Sequence, residues 1–152
     1  MIIFNARDLN KMARAAEEEY PQECCGLLVG RFENAVWEVK DIVPSKNVTP
    51  YDQGNRFEID PITRLKLQKD LRDSPEEVIG HYHSHPDGAA IPSSIDKASI
   101  WERNMLWVII SVAKARTIEI VAHRVIEGSE ELSFSPIEIH TINGLDPVGH
   151  SG

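Results

Sequence analysis

The sequence is poor in cysteine, and its two cysteines are adjacent. Cys24 and Cys25 cannot form the Cys-x-x-Cys pair of a thiolate metal site, and a nucleophilic thiol would need a paired base. Neighbouring residues of a strand point to opposite faces and seldom pair with each other. We therefore expect both thiols to be reduced and to serve as small, buried packing residues.

Basic residues are also scarce, 16 against 24 acidic ones, which gives a formal net charge of −8. This charge argues against nucleic acid as a partner, because phosphates are bound by a basic stripe. It suits a basic or neutral protein partner, although surface solubility explains it equally well. No apolar run approaches the ~20 residues that span a bilayer, and the first residues lack a signal-like pattern. We expect a cytoplasmic protein without a membrane segment.

The 152 residues, 41% of them hydrophobic, predict one globular domain over residues 1–142 and a flexible tail over 143–152. Their patterns predict an α/β protein with a mixed central sheet and about three helices. The predicted helices cover residues 8–19, a segment that begins at Pro61, and residues 94–105. The predicted strands cover residues 23–30, 35–43, 75–82, 106–112 and 117–126, with one or two short edge strands in 131–141.

Two of the helix starts carry residue types that favour a cap. Asp8 precedes the first helical pattern, and Asp60 precedes Pro61, a residue type preferred at the first helical position. The second helix is expected to bury an apolar face that includes Ile62, Leu65, Leu67 and Leu71. Ahead of it, residues 44–55 form a long polar loop, and loops of this length are often functional.

The most informative stretch contains His83, His85 and Asp96. Side chains at i and i+2 of a strand share a face, so the two imidazoles project the same way, about 6–7 Å apart at the backbone. Asp96 follows a Gly- and Pro-containing loop, opens a helix and can return as a carboxylate ligand. Two histidines and one carboxylate leave a fourth position open on Zn²⁺, which is typical of a catalytic site. The structural alternative is a pair of hydrogen-bonded imidazoles beside an ordinary helix cap formed by Ser93 and Asp96.

Order and spacing favour the metal site. The run His83–Pro86, followed by Ser93-x-x-Asp96, matches the signature His-x-His-x(7)-Ser-x-x-Asp without a gap. The sequence therefore resembles the JAMM/MPN metallopeptidases over roughly residues 5–126. This resemblance implies a cytidine-deaminase-like arrangement of the sheet and helices. It also implies one Zn²⁺ per chain, held by the two histidines and the aspartate.

The same resemblance assigns two further roles. Glu23, in the stretch Pro21–Gly30, matches the upstream glutamate that the family uses as general base. Ser93 matches the residue that donates a hydrogen bond to the developing oxyanion. On their residue types alone, Glu23 would be an exposed strand glutamate and Ser93 a helix cap.

Other polar residues near the signature are assigned less directly. Arg56 and Phe57 follow the long loop, and the resemblance implies a place beside the substrate groove; the alternative for Arg56 is a salt bridge to Asp52 or Glu58. His81 shares the face of the two histidine ligands and is expected to support the site or the core. Ser84 points to the opposite face and is expected to be a buried structural hydroxyl. The remaining histidines carry no metal assignment: His123, His140 and His150.

Within the family, the chain looks like the compact prokaryotic type. Its stretches Glu23–Leu28 and Arg56–Pro61 resemble those of short peptidases that act at the C-terminal Gly-Gly of ubiquitin-like sulfur-carrier proteins. The resemblance implies zinc-dependent hydrolysis of a peptide or isopeptide bond after such a tail, which has no side chains and can add as a strand beside a sheet.

Two other functions stay open at this point. A non-catalytic MPN scaffold would bind protein partners, but such domains lose ligands that are all present here. A zinc amidohydrolase would act on a small molecule, but the deaminase signature uses a Cys-x-x-Cys pair that this chain lacks.

Overall fold

The residues described by a computed structural model, 1–128 and 130–142, form eight strands and three helices. The strands are β1 (Ile2–Asn5), β2 (Cys25–Glu33), β3 (Val36–Ser45), β4 (Glu77–Pro86), β5 (Leu106–Ala113), β6 (Arg116–Glu127), β7 (Leu132–Ile137) and β8 (Ile139–Ile142). The helices are α1 (Ala6–Glu19), α2 (Pro61–Asp70) and α3 (Ser94–Ala98).

All eight strands belong to one mixed sheet in the order β7-β6-β5-β4-β2-β3-β1-β8. Strand β4 lies near its middle, antiparallel to β2 and parallel to β5. The first strand, β1, runs parallel to both β3 and β8. The predicted α/β architecture with a mixed sheet and three helices is confirmed.

The sheet separates two environments, because alternate side chains of each strand point to opposite faces. One face is covered by α1 and forms an apolar core, in which Met12 of the helix and Val108 and Ile110 of β5 are completely buried. The other face carries the histidines of β4, since His83 and His85 lie on the side opposite to Tyr82, a core residue. The apolar core therefore packs against the opposite face of the strands that carry the candidate site.

Helix α1 begins earlier than its periodicity predicts. The Asn5 side chain accepts a hydrogen bond from the Asp8 N–H at 3.0 Å, so Asn5 is the N-cap and the prediction of Asp8 was wrong. Asn5 ends β1, a strand that was not predicted because four residues are too few to show a period. Asn5 and Asp8 are both residue types that favour a helix cap. The helix begins directly after β1, so Asn5, the last residue of that strand, is the cap.

Helix α2 starts as predicted but packs differently. Asp60 accepts a hydrogen bond from the Ile62 N–H at 3.0 Å, and Pro61 occupies the first helical position. The predicted buried face was wrong, because Ile62 and Leu65 are 73% and 67% exposed. No residue of the helix is fully buried: Ile62 and Leu65 face solvent, and Leu67 and the following Leu71 are half-buried.

Helix α3 is much shorter than the predicted segment 94–105. It ends at Ala98, where the Ser99 hydroxyl donates to the Ile95 carbonyl at 2.8 Å. A serine hydroxyl that bonds back in this way competes with the helical ladder, and the following Ile100 and Asn104 are weak helix formers. The chain instead follows a non-helical path over residues 99–105 before β5 begins at Leu106.

Among residues 1–128 and 130–142, no helix combines the length and the apolar character that crossing a bilayer requires. The expectation of a cytoplasmic location stays a prediction. The predicted tail, 143–152, lies outside the described residues.

Candidate metal centre

Three potential ligand atoms meet on the face of the sheet opposite α1. Nε2 of His83 lies 3.0 Å from Nε2 of His85 and 3.3 Å from Oδ2 of Asp96, and the last two atoms are 3.1 Å apart. His83 is completely buried, Asp96 is 4% exposed, and the His85 side chain is 12% exposed. The residues predicted to act together are thus adjacent in space and largely shielded from water.

The spacing of these atoms fits a small cation. Ligands of a tetrahedral Zn²⁺ at ~2.0–2.1 Å lie about 3.3 Å from one another, which is close to the three observed distances. Nδ1 of His85 donates to the Ala89 carbonyl at 2.9 Å, so in the neutral ring Nε2 carries a lone pair toward this point. The group could therefore hold a metal ion.

Asp96 is fixed for this purpose by the start of α3. Its Oδ2 accepts the Ser93 N–H at 2.9 Å, while the Ser93 hydroxyl oxygen accepts the Asp96 N–H at 3.0 Å, which makes a capping box. Burial alone would raise the pKa of Asp96, but hydrogen bonds from His83, from His85 when both of its ring nitrogens are protonated, and from the Ser93 N–H outweigh it and hold that pKa below its ordinary value. The aspartate is a carboxylate ready to bind a cation.

Glu23 stands beside this group with an unsatisfied carboxylate. It is 4% exposed, and Oε1 is buried without a hydrogen-bond partner among the described residues. Burial raises its pKa to about 8, the His85 charge lowers it, and the Asp96 charge raises it. A cation held by the three ligands would favour the ionised form. The exposed strand glutamate expected as the alternative is not what the structure contains.

A cavity of about 570 Å³ opens next to Asp96. Its walls are rich in aromatic side chains, which include Tyr51, Phe57, Trp101 and Trp107. The cavity is bounded by the loop between β3 and α2 and by the segment that follows α3. A substrate that lies in it would pass directly beside the ligand group.

A family model described as prokaryotic homologs of the JAB domain matches residues 5–124. The chain belongs to this family. The resemblance to the JAMM/MPN metallopeptidases, drawn from the signature, is thereby confirmed.

The chain is similar to the CysO-cysteine peptidase of Mycobacterium tuberculosis, with 26% identity over 133 residues that cover 85% of this chain and 86% of that relative. It is also similar to the probable TtuB-protein conjugate cleaving protease of Thermus thermophilus, with 34% identity over 103 residues and 66% of each chain covered. Among solved structures, the solution structure of a Desulfitobacterium hafniense protein superposes with a TM-score of 0.79, at 27% identity and with 100% of both chains covered.

In this JAB-family domain, the two residues predicted for the substrate groove lie in the cavity wall. The Phe57 ring stacks on His83 with 4.2 Å between centroids and 15° between planes. The Arg56 guanidinium lies 4.7 Å from the centre of the Tyr51 ring, a cation–π contact. Neither predicted alternative partner, Asp52 or Glu58, forms an ion pair with it in the part of the chain that the structure describes. A role of either residue in binding stays a prediction.

His81, Ser84 and the two cysteines are not among the three candidate ligands. His81 stands in the cavity wall against Trp107, with ring centroids 4.3 Å apart, and burial lowers its pKa to about 3. Ser84 is completely buried on the core side, where its hydroxyl oxygen accepts the Cys24 N–H at 2.8 Å. Burial raises the pKa of Cys24 to about 11 and that of Cys25 to about 12, so both thiols stay protonated and neither is an activated nucleophile.

Asn47 was not singled out from the sequence, yet it ties the long loop to the site. Its Nδ2 donates to the carbonyls of Glu23 at 3.2 Å and Arg56 at 2.9 Å, and its Oδ1 accepts the N–H groups of Thr49 and Glu58. The amide therefore holds the segment that carries Arg56 against the segment that carries Glu23. One asparagine in a polar loop gives no signal of this, because the partners that join the two segments, the carbonyls of Glu23 and Arg56, are backbone groups distant in sequence.

Proposed function

We propose that the protein is a zinc-dependent peptidase that hydrolyses the peptide or isopeptide bond after the C-terminal Gly-Gly of a ubiquitin-like carrier protein. The observation that carries the proposal is the triangle of His83, His85 and Asp96 beside the buried carboxylate of Glu23, whose Oε1 has no hydrogen-bond partner among the described residues. The names of two relatives support the substrate class, since one is a CysO-cysteine peptidase and another a TtuB-protein conjugate cleaving protease.

His83, His85 and Asp96 would hold the ion. The chemistry that a zinc ion would supply there is a lower pKa of water, about 7, and polarisation of the scissile carbonyl. Glu23 takes a proton from the attacking water on its carboxylate and passes it to the leaving nitrogen as the carbon–nitrogen bond breaks. Such a group contributes roughly 10²–10⁴-fold to the rate.

In this proposal Ser93 performs two tasks at once. Its oxygen already accepts the Asp96 N–H, so its hydroxyl proton is free to donate to the carbonyl oxygen as negative charge develops there. Capping and oxyanion stabilisation are therefore compatible, because they use the lone pair and the proton of the same hydroxyl.

The cavity suits a narrow tail that belongs to a larger protein. Next to the ligand group it is confined by Phe57 on His83, and a Gly-Gly segment passes there because it has no side chains. Farther out, Tyr51 and Trp101 are 65% and 85% exposed, and the apolar Ile62 of α2 is 73% exposed. Exposed apolar groups around a cleft mark a protein-binding surface. Phe57 and Arg56 are the proposed contacts of the tail itself.

The first test is the metal content of purified protein together with His83→Ala and Asp96→Ala. We expect about one zinc per chain in the parent and its loss in both variants, because each removes one of three protein ligands. Folded protein that takes up no zinc even on incubation would favour a non-catalytic scaffold.

The second test uses a ubiquitin-like carrier fused through Gly-Gly to a short peptide, with the same fusion carrying Ala-Ala as its matched control. Cleavage after the second glycine, abolished by a chelator and restored by zinc, is the expected result. Equal cleavage of both fusions would contradict the Gly-Gly preference, and hydrolysis confined to small amides would contradict the peptidase.

A further inference from the structure

The loop between β4 and α3 is held through three successive carbonyl groups, those of residues 88–90. In chain order they accept from the Ser111 hydroxyl at 2.6 Å, from Nδ1 of His85 at 2.9 Å and from Nε2 of His123 at 3.0 Å. The three donors lie on neighbouring strands, β5, β4 and β6. The loop is therefore attached to the sheet along its length and not only at its two ends.

The middle hydrogen bond of the three determines which ring nitrogen of His85 is available to bind a metal ion. A neutral imidazole carries one proton, so donation from Nδ1 to Ala89 leaves a lone pair on Nε2, which faces His83 and Asp96. Without this carbonyl the proton could reside on Nε2, where it blocks metal binding. Partners of this kind orient ligand histidines and fix their tautomers.

The outer two donors are buried polar groups. Ser111 is 6% exposed, lies directly opposite His85 in the β4–β5 register, and follows a continuous apolar run in β5. His123 is 5% exposed and lies opposite Trp107 in the β5–β6 register. A buried polar atom without a partner is unfavourable, so the Ser111 hydroxyl and Nε2 of His123 favour the one loop conformation that satisfies them.

This loop also joins two of the candidate ligands, since it leads from His85 to the capping box of Asp96. Holding residues 88 and 90 therefore fixes both the place of the Ala89 carbonyl and the path of the chain toward Asp96. The 3.1 Å separation of His85 Nε2 and Asp96 Oδ2 depends on this path.

We propose that Ser111 and His123 are positioning residues of the metal centre, which act by holding the Gly88 and Ala90 carbonyls so that Ala89 keeps His85 in its metal-binding tautomer. The inference rests on the proposed function for the presence of the ion. It needs no contact of Ser111 or His123 with metal or substrate.

The test removes each donor and restores it. Ser111→Ala and His123→Leu delete the hydrogen bond, whereas Ser111→Thr and His123→Gln keep a donor at the same place. Zinc affinity is measured by competition with a chelator, and the tautomer of His85 is measured on metal-free protein by imidazole ¹⁵N chemical shifts at mildly alkaline pH. We expect about tenfold weaker zinc binding in each deletion, the lower end of the range for such partners, and a mixture of His85 tautomers.

Ile110→Val is the matched control, because Ile110 precedes Ser111 on β5 but points into the core on the other face. It loses stability without touching the loop, so its zinc affinity and His85 tautomer should equal those of the parent. Restoration by Ser111→Thr or His123→Gln would support the positioning role directly. Deletion variants that keep the parent's zinc affinity and a single Nδ1–H tautomer would overturn it.

The two proposals fail in different ways. A parent protein that binds no zinc would contradict the proposed function, and the tautomer measurement on metal-free protein would still decide the role of Ser111 and His123. A parent that binds zinc and cleaves its substrate, with deletion variants that behave identically, would overturn only the positioning role.

Discussion

The two faces of the sheet bury different kinds of side chain. The face under α1 is apolar, and residues such as Val108 and Ile110 are completely removed from water. The opposite face buries polar groups: His83, Asp96 and Glu23 are 0%, 4% and 4% exposed. Both faces are built on the same strands. In β5, Ile110 packs in the core, and the next residue, Ser111, lies on the face that carries the candidate metal centre.

This difference separates stability from function. Apolar burial on the α1 face stabilises the fold by roughly 25 cal/mol for each Å² removed from water. Glu23 instead keeps a carboxylate oxygen without a hydrogen-bond partner in the part of the chain that the structure describes, and a group buried in this way opposes folding. The core holds the site in an arrangement that the site residues would not maintain themselves, as expected where activity needs pre-organised polar groups.

The largest expected effect comes from Glu23→Gln on activity. Glutamine has nearly the same shape but accepts no proton, so cleavage of a Gly-Gly-tailed fusion should slow by about 10²–10⁴-fold. Zinc content should not change, because Glu23 is not one of the three proposed ligands. Steady-state kinetics and metal analysis on the same sample measure both. Undiminished turnover would remove Glu23 from the chemistry.

The same variant should change the pH dependence of stability in protein stripped of metal. Burial, with Asp96 nearby and opposed by His85, raises the pKa of Glu23 from its ordinary 4.5 to about 8. The unfolded state therefore releases its proton first, and stability falls as the pH rises from about 4.5 to about 8, by at most about 5 kcal/mol. Glu23→Gln should remove this loss, so the two unfolding free energies should diverge toward pH 8 in urea titrations. Parallel curves would mean that Glu23 is solvated.

On the core face, Ile110→Ala should lower the stability of the protein and leave the metal centre unchanged. Ile110 is completely buried in the core, and truncation of such a side chain lowers the free energy of unfolding by about 2–5 kcal/mol. Folded variant should retain the zinc affinity of the parent, because the side chain points away from the ligands. A loss of zinc affinity as large as the loss of stability would show that the two faces are not separable.

A smaller effect is expected from Gly26→Ala, on the same side as Tyr82. A Cβ on Gly26 would come within 2.3 Å of the Tyr82 ring, and that ring is completely buried, so overpacking should lower stability by about 1–3 kcal/mol. Tyr82→Phe is the control. The hydroxyl that it removes has no hydrogen-bond partner among the described residues. The free energy of unfolding, measured by thermal unfolding, should therefore change by less than about 1 kcal/mol.

Local pattern predicted the elements whose signals are long or punctuated. The apolar run of β5 and the Asp60–Pro61 start of α2 were predicted correctly. The strand predicted over 75–82 has its bounds at Glu77 and Pro86 instead, so it continues through both ligand histidines. The errors fell where a neighbour decides: β1 is too short to show a period, and the exposure of Ile62 on α2 depends on what packs against it.

The sequence by itself determined the candidate ligands, because the i, i+2 histidines and the capping-box aspartate are fixed by local geometry and a long, specific signature. It also determined the family. Only the tertiary structure decided that Glu23 is buried, that Asn47 joins two segments of the site, and that Ser111 and His123 donate hydrogen bonds to the loop after His85. The contacts of Asn47, Ser111 and His123 join single polar atoms to backbone groups distant in sequence, and the burial of Glu23 depends on its neighbours in the fold. Neither composition nor periodicity predicts such features.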